Sequence, residues 1–334
     1  NLRCQQNAPN DVTHHATTRG EPIRWVMRQF LRITKCLPLA LACAPVWAGS
    51  PVDSGALDPA FGSGGKVILN SAESNAAGSN LTTTDVAVQS SGKIIVAGYA
   101  DSACVLARLN SNGSLDTSFG GTNSFSPGFA GYGNCSFTGV AVRPDDRIVV
   151  AANVPFASPY VAQFTANGLP DVGNFGSGAT VQINPASGDT LNLSRIVIES
   201  SGAVDVAGTY YANPVGFNSN EFFFDKIAAD GSSNQPFQYE CGSGANQDDH
   251  ALDLAIDNQG RYVVAGYHRG ANGNYDFAAI RIHSDLYDVD STFGSGGQTT
   301  VDFGDNGDYA YAVALTPTGY IALGGQANGQ AALA

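Results

Sequence analysis

From about residue 80 onward, apolar residues come in short runs, and no stretch keeps helical spacing for ten residues together. The first runs are 85–89, 93–99 and 104–110, with a fourth stretch after Phe119 and Gly120. Each is rich in Val, Ile, Ala, Leu or aromatics and is bounded by Gly, Ser, Asn or Asp, the punctuation of short strands joined by tight turns. This pattern predicts an all-β chain.

The runs belong to a repeat. One phrase recurs five times: LDPAFGSGG from Leu57, LDTSFGG from Leu115, PDVGNFGSG from Pro170, SNQPF from Ser233 and VDSTFGSGG from Val289. Its phenylalanines, Phe61, Phe119, Phe175, Phe237 and Phe293, stand 58, 56, 62 and 56 residues apart. A second phrase keeps phase with it: GKIIVAG from Gly92, DRIVVAA from Asp146, GAVDVAG from Gly202, GRYVVAG from Gly260 and GYIALGG from Gly319. Four short strands per unit, repeated, predict a β-propeller of about five four-stranded blades. The units lie near 57–114, 115–169, 170–232, 233–288 and 289–334, within a propeller domain spanning 49–334. Most repeated residues have scaffold roles. Asp58, Asp116 and Asp290 precede the phenylalanine by three, where a carboxylate closes an Asx turn, and the ring can staple one blade to the next.

The succession of FGSGGKV, QSSGKIIVAGY and VLARLNSNGSLDTSFG resembles the delta-60 repeat, found in bacterial surface and secreted β-propellers, over nearly all of 57–334. The resemblance implies a propeller and a place outside the cytoplasm; it implies no activity. Units three and four depart from it: 233–237 lacks the Asp and the Phe-Gly pair, and 283–288 lacks the Asn-Gly-Ser turn.

By strand order, 66–69 reads as the outermost strand of a blade whose other three strands come from 309–334. That would close a five-blade ring and remove exposed sheet edges. The sequence stops within a strand-like run at Ala334, so the alternative is a fragment of a larger propeller.

Ahead of the repeats, Met27 is followed by Arg28, Arg32 and Lys35, then by an apolar run from Cys36 to Trp47 and by Ala48. This is the pattern of a secretory signal peptide, 27–48, with 1–26 as an upstream non-structural segment. A lipidated Cys43 is the rival reading, but Ala40 stands where Leu is usual. Without 1–48 the chain keeps 10 Lys/Arg against 27 Asp/Glu, and neither Trp nor Met. So acidic a surface, with no basic stripe, argues against nucleic acid. No later stretch approaches a membrane-spanning helix. Cys104, Cys135 and Cys241 remain. Cys104 and Cys135 flank neighbouring units and can pair in an oxidising compartment; the alternative is three buried small hydrophobes.

Chemistry is sought where the units differ. If the first strand of each unit lines the axis, one column reads Asp85, Gly139, Arg195, Asp253, Ala312, a second Thr83, Phe137, Leu193, Ala251, Ala310, and a third Thr82, Ser136, Asn192, His250, Tyr309. Asp85, Arg195, Asp253, His250 and Asn192 are therefore the candidate ligand-binding residues, the alternative being an ion pair between blades. Asp302, Asp305 and Asp308 form an acidic turn that could hold calcium, although without EF-hand spacing. The pairs Asp145/Asp146 and Asp248/Asp249 read as solvated turns. No HExxH, GxSxG, GxxxxGK or paired-Cys motif occurs, so no catalytic residue is assigned. The expected role is a noncatalytic binding scaffold for a protein, surface polymer or small ligand. The alternatives are a propeller enzyme of lyase or lactone-hydrolase type with a polar channel, and a structural segment of a larger surface protein.

Overall fold

The computed structural model describes residues 56–69, 81–100, 103–120, 135–212, 219–241, 248–270, 272–286, 288–304 and 307–334. The leader at 27–48, Cys43, the segment 1–26 and Asp305 lie outside the described residues. The chain is an all-β propeller of five blades, each an antiparallel meander. Blade 1 holds β1 (Leu81–Val88), β2 (Ile94–Ala100) and β3 (Ala103–Leu109). Blade 2 holds β4 (Ser136–Val142), β5 (Ile148–Asn153), β6 (Tyr160–Phe164) and β7 (Thr180–Gln182), and blade 3 holds β8 (Thr190–Ile198), β9 (Val204–Ala212), β10 (Ser219–Ile227) and β11 (Asn234–Tyr239). Blade 4 consists of β12 (His250–Ile256), β13 (Tyr262–Arg269), β14 (Tyr275–Ile282) and β15 (Gln298–Val301), and blade 5 of β16 (Asp308–Leu315), β17 (Ile321–Ala327) and β18 (Gln330–Leu333). Blades 2, 3 and 4 thus have the four strands expected, and blades 1 and 5 have three among the described residues.

The second strand of a blade is apolar without alternation because both of its faces are covered. Val149, Val150 and Ala151 of β5, and Val263, Val264 and Ala265 of β13, are all fully buried. Separate apolar layers form between successive blades: Ile95, Leu106, Phe137 and Val150 between blades 1 and 2, and Leu193, Val206 and Phe223 with Val149 and Val161 between blades 2 and 3.

Every first strand carries a one-residue β-bulge, between Thr83 and Asp85, Phe137 and Gly139, Leu193 and Arg195, Ala251 and Asp253, and Ala310 and Ala312. The bulge explains the glycine that ends the second phrase in four of the blades, Gly98, Gly208, Gly266 and Gly325, whereas blade 2 carries Ala152 there. A Cβ on Gly266 would collide with the carbonyl oxygen of His250, and one on Gly98 with that of Thr82.

Two departures from the sequence expectation concern the first phrase. Phe119 and Phe175 sit in turns and are buried, but Phe237 lies inside β11, paired with Phe224, because SNQPF lacks the Asp and Gly that make the turn. Residues 66–69 form no ladder with β18. The FGSGG turn folds back on itself, with the Ser63 amide donating to the Lys66 carbonyl, and Phe61, Val67 and Leu69 pack on Val96, Val105 and Ala107 of blade 1.

Candidate functional site

The bulge aims the first column inward and brings three of its members together. Arg195 Nη1 lies 3.4 Å from Asp85 Oδ2, and Arg195 Nε lies 3.1 Å from Asp253 Oδ1. Each carboxylate also accepts two backbone amides: Asp85 those of Val86 (2.9 Å) and Val140 (2.9 Å), Asp253 those of Leu254 (2.9 Å) and Val313 (2.8 Å). Val140 and Val313 belong to the next blade. The same two aspartates therefore clamp blade 1 to blade 2 and blade 4 to blade 5, and Arg195 balances their charge. Where Gly139 replaces the aspartate, the amide clamp between blades 2 and 3 is made instead by Asn153, whose Oδ1 accepts from Leu193 N at 2.8 Å. Asn192 is exposed on β8 and stands apart from the Asp85–Arg195–Asp253 ion pairs.

His250 belongs to a different group, at the end of the propeller where β12 begins. Its Nε2 stands 2.8 Å from Asp248 Oδ1, and Asp248 also accepts from Asn220 Nδ2 and from the Tyr275 hydroxyl. Burial would raise the Asp248 carboxyl; the hydrogen bonds from Tyr275, His250 and Asn220 outweigh it and hold the carboxyl below its usual range. The His250 ring stacks on Tyr267 with centroids 4.6 Å apart and meets the edge of Tyr211 at 5.9 Å. Tyr267 meets Tyr309 at 4.9 Å, Tyr309 meets Tyr275 at 5.5 Å, and Tyr311 extends the row. The third column thus joins His250 and Tyr309 through a ring from β13. The Tyr275 phenol is pushed up to about 12 by its hydrogen bond to Asp248 and by burial. Tyr267 is held above the usual phenol range by burial and by the Asp248 charge. Both phenols stay protonated at neutral pH, and the Tyr275 hydroxyl donates to Asp248.

The carboxylate pair at 248–249 departs from the expectation of a solvated turn. Asp249 is fully buried, accepts the Cys241 amide at 2.6 Å and lies 2.7 Å from His268 Nδ1. Its neighbour at the start of β12 is part of the tyrosine face, because β12 begins immediately after the turn.

A depression of about 360 Å³ opens at the opposite end of the first strands, lined by Val88, Arg143, Asp146, Ile198 and Glu199 among others. Its charged groups are engaged in the scaffold. Arg143 donates to Gln163 and to the carbonyls of Gly202 and Ala229, and Glu199 holds Lys226 at 2.6 Å. Behind Glu199 lies Asp205, fully buried with neither carboxylate oxygen hydrogen-bonded to a donor, and burial beside Glu199 pushes it up to about 8. Sequence reasoning missed Asp205, although GAVDVAG puts it where the other copies carry Ile95, Val149, Val263 and Ala322.

Two of the three aspartates named for calcium are described. Asp302 and Asp308 come together, and the structure adds Asp276 of β14, with one carboxylate oxygen from each within 4.8 Å of the others. Cys104 and Cys135 are joined in a disulfide between β3 and the start of β4. Cys241 is buried and its thiol is pushed well up by that burial.

A family model described as a domain of unknown function (DUF5122) beta-propeller matches residues 89–119. Nothing matches among curated proteins. Among solved structures, a family PL25 polysaccharide lyase, an ulvan lyase, aligns at 9% identity and TM-score 0.47, over 74% of this chain; the chain spans 64% of the lyase. A protein from Lactobacillus plantarum aligns at 15% identity and TM-score 0.39, over 75% of this chain and 80% of that one. An endo-1,4-beta-xylanase from Bacteroides thetaiotaomicron aligns at 12% identity and TM-score 0.32, over 74% and 75%.

Proposed function

We propose that this propeller is a secreted binding module, and that its ligand-contacting surface is the tyrosine–histidine face at the start of β12, β14 and β16. The observation that carries the reading is the row of half-buried rings from Tyr211 through His250, Tyr267 and Tyr309 to exposed Tyr311. Tyrosine offers a rigid apolar face with a polar tip, at low cost in side-chain entropy. A polyhydroxylated polymer fits such a face, with the apolar side of each sugar ring on an aromatic ring and its hydroxyls near phenol donors. The axial trio of Asp85, Arg195 and Asp253 supports the same division of labour, because those side chains serve one another and the neighbouring amides.

The test is titration with a panel of neutral and anionic oligosaccharides, followed by tyrosine fluorescence. Binding weakened at least tenfold by Tyr311→Ala or Tyr309→Ala carries the reading; no binding across the panel, or unchanged affinity in both variants, defeats it. The Asp248–His250 pair favours a second reading, because a carboxylate that orients an imidazole is an arrangement used for proton transfer. Turnover of a bound saccharide, lost in His250→Ala, would move the assignment to an enzyme.

The leader pattern and the Cys104–Cys135 bridge support a place outside the cytoplasm, since disulfides persist in oxidising compartments. Trp25 and Trp47 are the two tryptophans, so processed protein should show tyrosine emission alone. A tryptophan band from protein recovered outside the cell would contradict cleavage after Ala48.

A further inference from the structure

Asp276 is the second residue of β14, and Phe277 pairs with Val301, so the ladder sets Asp276 opposite Asp302 just beyond the end of β15. Asp308 opens β16, the first strand of blade 5. One carboxylate oxygen from each of the three lies within 4.8 Å of the other two. Oxygens on opposite sides of a calcium ion, at about 2.4 Å each, are ~4.8 Å apart, so a single ion can reach all three.

A second observation points to a ligand. Asp276 is 9% exposed, and its Oδ1 is buried with no hydrogen-bond donor, although its carboxylate is turned toward the other two. Among the described residues neither Asp276 nor Asp302 has a Lys or Arg partner, and the Asp276 carboxyl is pushed up by burial and by the charge of Asp302. Buried carboxylates are ordinarily paired or bound to metal. Backbone amides orient two of the three carboxylates. The Phe303 amide donates to Asp308 Oδ2 at 2.7 Å, the Gly304 amide donates to Asp302 Oδ1 at 2.6 Å, and Phe303 packs edge-on against Phe277 at 5.1 Å.

We propose that Asp276, Asp302 and Asp308 form a calcium site that ties the outer strands of blade 4 to the first strand of blade 5. Three hard oxygen donors with no nitrogen or sulfur ligand among them select a cation of this class over zinc or copper. The ion supplies the positive charge that the axial aspartates receive from Arg195.

The experiment is calorimetric titration of the full chain, stripped with chelator, with calcium chloride alone, and thermal melts with and without the ion. One saturable isotherm and a raised melting midpoint are expected. Both should be lost in Asp276→Asn and in Asp302→Asn and kept in Asp253→Asn. Absence of heat and of a shift in the wild-type protein overturns the proposal, and so does an unchanged isotherm in Asp302→Asn. Because Asp302 is exposed, that variant should fold even if Asp276→Asn does not. Terbium luminescence, excited through Tyr275 and Tyr309 and quenched by added calcium, gives a further reading on the folded wild-type chain. Terbium emission undiminished by calcium would also overturn the site.

Discussion

The ring of Phe119 occupies the space where a Cβ on Gly168 would stand: the nearest ring carbon would lie 2.5 Å from it. Phe119 leads out of blade 1, Gly168 closes the turn after β6 of blade 2, and the Gly120 amide donates to the Asn167 carbonyl at 2.7 Å. Arg108 lies over the face of the ring, 4.9 Å from its centroid, and donates to Asp116 at 2.9 Å. The phenylalanine is thus a staple between blades, with its turn fixed by the aspartate three residues earlier. Phe119→Ala should destabilise the fold by roughly 3–5 kcal/mol. Phe237→Ala should cost less, since Phe237 is only partly buried in β11. Equal effects in chemical denaturation would refute the distinction.

Gly168→Ala attacks the same contact from the other side. Gly168 has φ +82°, so alanine meets both backbone strain and the Phe119 ring, and a loss of about 2 kcal/mol is expected. A melting temperature unchanged from wild type would show that the ring moves aside freely.

The Cys104–Cys135 bridge closes a loop with a sequence separation of 31. Loop-closure entropy gives about 3.5 kcal/mol for such a loop. Melts in the presence and absence of reductant should differ accordingly, and a Cys104→Ser, Cys135→Ser double variant should behave like the reduced protein and ignore reductant. A shift that persists in the double variant would place the effect elsewhere.

Buried carboxyls make stability depend on pH in two opposite directions. Asp205 is pushed up to about 8 and Asp225 to about 6, both first by burial, so the folded chain keeps protons that the unfolded chain releases near the ordinary carboxylate value of 3.8. Their contribution falls as pH rises from about 4 to 8. Asp116 is shifted the other way: burial raises it, but hydrogen bonds from Lys93 and Ser118 with the Arg108 charge outweigh that, and its contribution is lost only as pH falls below the ordinary range. Asp205→Asn should raise stability at pH 8 by on the order of 5 kcal/mol and leave it nearly unchanged at pH 4. Parallel stability–pH curves for variant and wild type would rule out this role for Asp205.

Gly266→Ala tests the bulge. The His250 carbonyl blocks a Cβ there, so a loss of about 2–3 kcal/mol is expected, together with displacement of His250 itself. Blade 2 carries Ala152 at the equivalent position, opposite Phe137, and Ala152→Gly should cost no more than about 1 kcal/mol. Circular dichroism melts of the two variants settle the comparison.

The blade architecture was legible because turns and bulges impose residue types locally. Gly92, Gly202, Gly260 and Gly319 all take positive φ at one turn, and Asp146, one of the residues other than glycine that tolerates that conformation, takes φ 67° in their place. Register in the first strands followed from the same phrases, which is how Asp85, Arg195 and Asp253 fell into one column. The outer strands were less legible. Nothing in SNQPF distinguishes a turn from the strand it forms, since the pairing of Phe237 with Phe224 comes from the partner strand. Asp276 was missed for a similar reason. It lies 26 residues before Asp302 inside an apolar run, and only the β14–β15 ladder brings the two together. Asp248 was read by its local turn chemistry, whereas three side chains from other strands determine what it does.

The reach of Arg195 to Asp85 joins blade 3 to blade 1 over the head of blade 2. In a row of units that grip only their immediate neighbours, the first can melt while the third stays intact. A strut across the axis removes that independence. If blade 1 opens, Arg195 loses one of its two carboxylates and the junction of blades 3 and 4 is left with an altered charge balance. The repeats are near copies of one another in sequence, yet this single unrepeated arginine couples the melting of the first blade to that of the third.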